Sequence, residues 1–562
     1  MSDKKIKLVL CWHMHQPEYR DLQTGLFKLP WTYLHVIKDY IDMVAHLEAV
    51  PNAKAVVNFA PILLEQIEDY TQQVKSFQND QFSMKDPLLA ALSEVALPAD
   101  LKVRHELILN CMKANRERQI DRYPAFKQLV EMAEWMQEHN HSMSYLNAQF
   151  MADFLVWYHL SWMGETVKLE DKRIQRLIAK ERNYTLHDRL ALVDVIGELL
   201  TSVLTRYKKL AHQGQIELSV TPYAHPIMPL MLDLKSTHDA MPDAALPELD
   251  VYPGGEERVR WHLKEGVDTF HRFFGFKPQG CWPSEGALSD ATLKILGEAD
   301  FKWTATGGGV LHNSLNALPE EQRPSSIHHP FEVANTNIPC FFRDDGLSDL
   351  IGFKYSKWHA DDAVGDLINH IASMAEHEPE NSVVSIIMDG ENAWEYFPEN
   401  GYHFLRGLYE RLADHPTIEL TTFSECLDAK VTVKPLPKLT AGSWVYGSFS
   451  TWIGSVDKNR GWDMLGDVKW IFDKVKASGR LSVEQIEEAE MQLAVCEGSD
   501  WFWWFGDYNP SGAVSDFEQQ FRLNLTNLYY KLGEQPPEYL KSSFTQGSGE
   551  PASGGTMRKV TD

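Results

Sequence analysis

Residues 8–12, 55–59, 216–220 and 383–388 are short apolar runs, continuous rather than alternating, and each stops at polar or turn-forming residues. A strand that is apolar on both faces must be covered on both faces, which is the situation of a parallel sheet wrapped by helices. Further candidate strands lie at residues 280–282, 303–306, 340–343 and 351–355, again followed by loops or helical patterns. Strands of this kind, separated by helices, predict an α/β barrel or a doubly wound sheet. At 562 residues the chain is long enough for one large barrel with additions, or for two to four compact units.

The text changes character twice. From about residue 62 to 214 it reads as helices: Phe126, Leu129, Val130, Ala133 and Met136 recur at helical spacing, as do Leu190, Val193, Ile196, Leu200, Val203 and Tyr207. This predicts a helical insertion within a barrel unit spanning residues 1–430. The Lys- and Pro-rich stretch KVTVKPLPKLTAGSW, residues 430–444, reads as a linker. Beyond it, Ser482 with Gln485 and Ser515 with Glu518 have capping-box spacing, and Gly533 stands where a helix would end, so residues 440–535 are read as a C-terminal helical domain. Residues 541–562, which include QGSGEPASGGT, read as a flexible tail.

Asp and Glu number 79 against 54 Lys and Arg, a net charge of −25. Such a chain repels phosphate backbones and anionic lipid, so nucleic acid and membrane are not expected partners and a neutral substrate is. The six cysteines, at 11, 111, 281, 340, 426 and 496, form no CxxC pair and suggest buried thiols rather than a metal site or disulfide framework. No run approaches the roughly 20 apolar residues of a membrane span, and the N-terminus lacks a cleavable leader pattern. These features predict a cytoplasmic protein. Trp is abundant, at 17, and a flat indole suits sugar stacking as well as core filling.

Barrel enzymes place reactive groups where strands end, and four clusters stand there. In WHMHQP, His13 and His15 share a strand face and can grip a ligand hydroxyl or a metal, or can be hydrogen-bonded structural histidines. In GQIELSV, Glu217 sits within a strand and must have a partner, a ligand or merely an Arg. In GCWPSEG, Glu285 follows a Cys-Trp pair; helix N-terminal stabilisation is its other reading. In SVVSIIMDGENAWEYF an apolar run meets Asp389, Gly390 and Glu391, where only one carboxylate need enter a site and helix capping is the alternative. No GxSxG is present, and TGGGV at residues 306–310 lacks the Lys and Ser/Thr of a phosphate loop and reads as a turn.

Two carboxylates on different strand ends are what glycosidic cleavage needs, one to attack or activate water and one, its pKa raised, to protonate the leaving oxygen. Trp282 and Trp394 are neighbours that can supply the apolar surroundings. In order, HQP (15–17), GQIEL (214–218), WPSE (282–285), MDGENAWE (388–395) and TWIGSVDKNRGW (451–462) resemble the signatures of glycoside hydrolase family 57, whose members act on α-glucans. The resemblance covers residues 6–535. It implies an incomplete (β/α)7 TIM-like barrel with a helical insertion and a C-terminal α-helical domain, and a retaining hydrolase of the α-amylase and amylopullulanase-like branch. It further implies Glu285 as nucleophile, Asp389 as acid/base, His15 and Glu217 lining the subsite of the reacting sugar, and Trp282 nearby as an apolar wall; His13 and Trp394 are further candidates for substrate binding. Trp452, Lys458, Asn459 and Trp462 reach the cleft or pack locally. No metal or cofactor is implied.

Three alternatives remain open from sequence. The enzyme can be a 4-α-glucanotransferase or branching enzyme. It can be a metal-dependent α-mannosidase or deacetylase-like enzyme, suggested by the two histidines though WHMHQP lacks an Asp. Or it can be a non-catalytic glycan-binding protein, although both carboxylates are present.

Overall fold

The computed structural model describes residues 5–80, 82–139 and 146–549. Ten strands form a single sheet: β1 (Ile6–Met14), β2 (Ala55–Phe59), β3 (Ile216–Val220), β4 (Gly280–Cys281), β5 (Trp303–Thr306), β6 (Phe331–Val333), β7 (Pro339–Phe342), β8 (Val383–Asp389), β9 (Ile418–Thr421) and β10 (Lys434–Leu436). Their order is β10-β6-β7-β5-β4-β3-β2-β1-β8, with β9 alongside the first half of β1. Only β6 and β7 run antiparallel. The parallel strands β8, β1, β2, β3, β4, β5 and β7 curl until Arg343, just past β7, makes a single parallel bridge to Ser385 of β8. This is the incomplete seven-stranded barrel expected from sequence.

The continuous apolar runs have two destinations, because successive side chains point to opposite faces. Val9 and Cys11 of β1, Val56, Trp303, Ala305, Phe341 and Ile387 point inward and form a buried interior cluster with Trp282 and Phe423. Leu8, Leu10 and Trp12 point outward and pack in the larger core beneath the helices. Helices fill the insertion, from Pro61–Asp80 through the long helix Leu186–His212. The C-terminal helices are Val456–Ser478, Val483–Cys496, Ser499–Trp504 and Ser511–Lys531.

Glu217 does not reach the substrate side. It is the second residue of β3, at the opposite end of the barrel from the strand C-termini, and its partners are neither ligand nor Arg. Its Oε1 accepts from Trp303 Nε1 (2.7 Å) and Ser424 Oγ (2.6 Å), and its Oε2 from the Ser424 backbone N–H (3.0 Å). Burial pushes this carboxyl up, while Ser424 and Trp303 favour the anion.

Several local expectations change. Residues 351–355 are helical: Leu350–Lys354 continues the helix Asp345–Asp349. Asp344 caps that helix, accepting from Leu347 N–H, and the buried Leu347, Ile351 and Tyr355 recur every four residues, a helical face inside a short apolar run. The glycine run opens the helix Gly308–Asn316 rather than forming an isolated turn. The presumed linker is ordered by its neighbours: β10 pairs with β6 at the sheet edge, where Pro is tolerated, and Leu439 N–H and Thr440 N–H donate to Asp290 and Ser314. Ser482 and Gln485 form the capping box, but Ser515 lies inside a helix that Pro510 precedes, and Glu518 there pairs with Arg522. Of the expected tail, Phe544 packs on Phe505 and Thr545 donates to Asp457; residues 550–562 lie outside the described residues. All six cysteines are free and buried, and no described helix is long and apolar enough to cross a membrane.

Because Glu217 satisfies three buried donors at once, Glu217→Ala strands them. We expect a loss of about 1–3 kcal/mol of stability, read as a lowered urea midpoint, with Glu217→Gln losing less because it keeps one acceptor oxygen.

Candidate active site

The strand C-termini open into a cavity of about 770 Å³. β1 contributes His13, and His15 follows one residue beyond the strand; β8 ends in Asp389, with Glu391 in the turn after it. β4 leads to Glu285, held in a tight turn with a left-handed backbone (φ 56°), followed by Gly286 (φ 59°). Behind the lining residues, the loop after β3 places the buried His225, also left-handed (φ 61°), against His13 and His15. Ser499 and Asp500 come from the C-terminal helices. His13, His15, Glu285, Asp389, Glu391 and Asp500 line the cavity, together with an aromatic wall of Trp31, Trp162, Trp444, Trp503 and Trp504.

One hydrogen-bond chain fixes the histidines. With the Asn58 carbonyl oxygen 2.6 Å from His13 Nδ1, that nitrogen carries the proton, so His13 Nε2 accepts from His225 Nε2–H (3.1 Å) and His225 Nδ1 accepts from Ser499 Oγ (2.8 Å). Both rings are neutral: burial and the neighbouring His15 push His13 down to about 3, and burial with His15 and His13 lowers His225 well below the ordinary range. His15 stacks on His225 (centroids 3.7 Å apart) and its Nε2 meets both carboxylate oxygens of Asp500 at 3.0 Å.

The carboxyls are pushed the other way. Burial, then the charges of Asp500 and Asp389, raise Glu285 well above the carboxylate range, against a hydrogen bond from Trp444 Nε1 to its Oε2 (2.9 Å). Burial also raises Asp389, opposed by Asn392 (Nδ2 to Oδ2, 2.8 Å), His15 and Arg343. Glu391 is raised by burial and by Asp389. Three raised carboxyls, Glu285, Asp389 and Glu391, lining one cavity mark it as a candidate site of proton transfer.

The C-terminal residues are delivered by a buried charge cluster. Glu497 accepts from Tyr252 OH (2.6 Å), Arg258 Nε and Nη2 (2.9 and 2.7 Å) and His262 Nε2 (2.7 Å). Arg258 and His262 lie on the helix Gly255–Phe274, and the His262 carbonyl accepts from Tyr223 N–H in the His225 loop. Ser499 N–H then donates to the His225 carbonyl (2.9 Å).

Of the residues singled out from sequence, Glu285, Asp389, His13 and His15 meet in the cavity; Glu217, Trp282, Trp394, Trp452, Lys458, Asn459 and Trp462 do not line it. Trp282 is buried between His13 and Trp444. Trp394 packs on Trp12 and donates to the Gly390 carbonyl, bracing the turn after Asp389. Trp462 donates to the Trp452 carbonyl, Asn459 binds Gly454 and Ala245 backbone, and Lys458 binds the Phe502 carbonyl and the OH of Tyr508, a residue that itself lines the cavity. His225, Trp444, Arg343 and Asp500 were missed. His225 stands five residues beyond the third-strand motif GQIELSV, in TPYAHP, and Trp444 ends the Lys- and Pro-rich stretch; nothing local marks Asp500.

Among the described residues, His15, His225 and Asp500 are the one trio whose ligand atoms lie within 4.8 Å of one another. Their geometry suits a metal poorly. With the two rings stacked 3.7 Å apart and within 14° of parallel, an ion about 2.0–2.1 Å from a nitrogen of each ring would lie far out of both ring planes.

The family model for glycosyl hydrolase family 57 matches residues 9–439. The fold is similar to that of a branching enzyme from the hyperthermophilic archaeon Thermococcus kodakaraensis, solved in complex with glucose (16% identity, 97% of this chain and 92% of that one, TM-score 0.57). It is also similar to an α-amylase from Thermotoga maritima (13% identity, 96% of each chain, TM-score 0.55) and to a 4-α-glucanotransferase from Thermococcus litoralis (15% identity, 94% of this chain and 60% of that one, TM-score 0.51). No curated protein sequence matches the chain.

The two neutral rings generate a direct expectation. Across pH 5–8 the Cε1–H resonances of His13 and His225 show no titration in 1H–13C spectra; a midpoint between 6 and 7 for either contradicts the hydrogen-bond chain.

Proposed function

The chain belongs to glycosyl hydrolase family 57, and on that premise we propose that it acts on α-glucans such as glycogen, starch or maltodextrin by a retaining double displacement. Glu285 attacks the anomeric carbon, and Asp389 protonates the departing oxygen and then deprotonates the acceptor. The observation that carries this reading is the pair of buried carboxyls, from the ends of β4 and β8, facing one aromatic-walled cavity. His15, Asp500 and Glu391 are polar groups available to sugar hydroxyls, and the tryptophans offer flat faces to the pyranose rings.

One observation favours a second assignment. Burial raises both carboxyls, but Asn392, His15 and Arg343 support the Asp389 anion, whereas the charges of Asp500 and Asp389 oppose that of Glu285. Taken alone, that places the proton on Glu285 and makes Asp389 the nucleophile. The WPSE motif supports the first assignment, and the positive charge that develops on the sugar favours whichever carboxylate attacks it.

Azide separates the two. Under the first assignment Glu285→Ala plus azide yields an inverted glycosyl azide, while Asp389→Ala yields a retained one; exchanged stereochemistry selects the second assignment. Glu285→Gln and Asp389→Asn should each lose at least about 10³-fold in turnover. Wild-type turnover in both would remove the site.

Water and a glucan hydroxyl are alternative acceptors, and the neighbours of similar fold include a hydrolase and two transferases, so fold does not choose between them. Incubation with maltoheptaose and with glycogen decides. Shorter products alone, absent from Glu285→Gln, mean hydrolysis, whereas longer or newly α-1,6-linked products mean transfer.

A further inference from the structure

The run Gly307–Gly309 and the loop 442–448 press against each other as tightly as backbone allows. A Cβ at Gly307 would lie 2.5 Å from Trp444 Cα, at Gly308 2.6 Å from the Arg343 carbonyl oxygen, and at Gly309 3.2 Å from Gly447 Cα. The loop is also fixed from within. Ser443 Oγ bonds to the Val445 and Ser448 carbonyls and accepts from Val445 N–H, Asn313 Nδ2 donates to the Gly447 carbonyl (3.1 Å), and Gly442 bridges Leu288. Tyr446, half exposed, is held left-handed (φ 57°), a conformation that persists only where the surroundings over-determine it.

What this loop presents is Trp444, which touches Glu285 twice: Trp444 N–H donates to the Glu285 carbonyl (3.0 Å) and Nε1–H to Oε2 (2.9 Å). The indole is held in turn by the edge of Trp282 (centroids 5.2 Å) and by the Arg343 guanidinium over its ring (5.8 Å).

We propose that Trp444 is the positioning residue of Glu285, tethering Oε2 so that Oε1 faces the anomeric carbon, and that Gly307 and Gly309 form the socket that seats its loop. The proposal rests on the reading of Glu285 as nucleophile. The groups facing Glu285 otherwise are Asp389 and Asp500, both opposing its ionisation, and His225, whose Nδ1 is 3.9 Å from Oε1 and already accepts from Ser499. Arg343 acts on Asp389. The Trp444 Nε1–H is therefore the donor that supports the Glu285 anion, and N–H bonds to a buried carboxylate are among the strong ones.

Trp444→Phe keeps an aromatic ring and removes the donor. Expected are a fall in kcat of about 10–100-fold, KM within about threefold, and an acid limb of the pH–rate profile moved to higher pH, since losing the bond raises the pKa of the group that must be ionised. Gly307→Ala, which displaces the Trp444 backbone without touching Glu285, should move the same limb the same way, and keeps the test open should Trp444→Phe fold poorly. A loss of kcat in both variants with an unmoved limb overturns the proposal, because a purely structural role lowers activity without shifting ionisation. If Glu285→Gln keeps wild-type turnover, the nucleophile reading itself has failed; if Glu285→Gln is inactive and neither limb moves, only the tether has.

Discussion

Glu497 is a carboxylate with no access to water, and the geometry of the cavity depends on it. Burial pushes its pKa up, but Arg258 and His262 more than offset this and hold it at about 2. Removing two charges from water is costly and is recovered only where hydrogen bonds are complete, a condition that Tyr252, Arg258 and His262 jointly meet. The return lies in position. The helix carrying Arg258 and His262 packs behind the His225 loop, and the chain leaving Glu497 enters the cavity three residues later, at Asp500. One ion cluster thus registers the C-terminal helices against the barrel and sets the Ser499, His225, His13 and Asn58 chain in line.

That registration also explains how strained backbone survives. Glu285, His225 and Tyr446 are all left-handed without being glycine, at a cost of order 1–3 kcal/mol each. Each is bonded through its own backbone or its neighbour's: the Glu285 carbonyl by Trp444, the His225 carbonyl by Ser499, and the Tyr446 turn by Ser443 and Asn313. At Glu285 the left-handed turn lets the side chain leave the end of β4 at an angle that an extended strand does not offer.

The barrel was legible because its signal is local. A parallel strand buried on both faces writes itself as a short apolar run, and seven of the eight runs became strands with ends off by at most two residues. The run at 351–355 failed because Leu347, Ile351 and Tyr355 make a helical stripe whose first member lies outside it. The strand-end residues His13, His15, Glu285 and Asp389 were legible for the same reason the strands were. Asp500 was not: it enters the cavity through Glu497 contacts with residues about 240 positions earlier, which leave no local pattern. Trp444 was hidden because Lys and Pro describe an edge strand and a linker equally well. Glu217 misled because a carboxylate inside a strand announces a buried partner without saying at which end of the barrel the partner waits.

The sheet is not stitched evenly around its ring. β1 shares long ladders with β2 and β8, whereas β4 meets β3 through one residue pair and β7 meets β8 through one bridge. The histidines therefore rise from the most densely laddered part of the barrel, and the two carboxyls rise beside its seams. At the seam next to Asp389 the Arg343 guanidinium spans the gap, donating to the Ile387 carbonyl where a neighbouring strand's amide would otherwise stand. Beside the backbone bond from Asp344 N–H to the Ser385 carbonyl (2.7 Å), a side chain thus extends the work of the backbone, and the last stretch of this closure, the part nearest Asp389, is written in one residue's chemistry rather than in a ladder of amides.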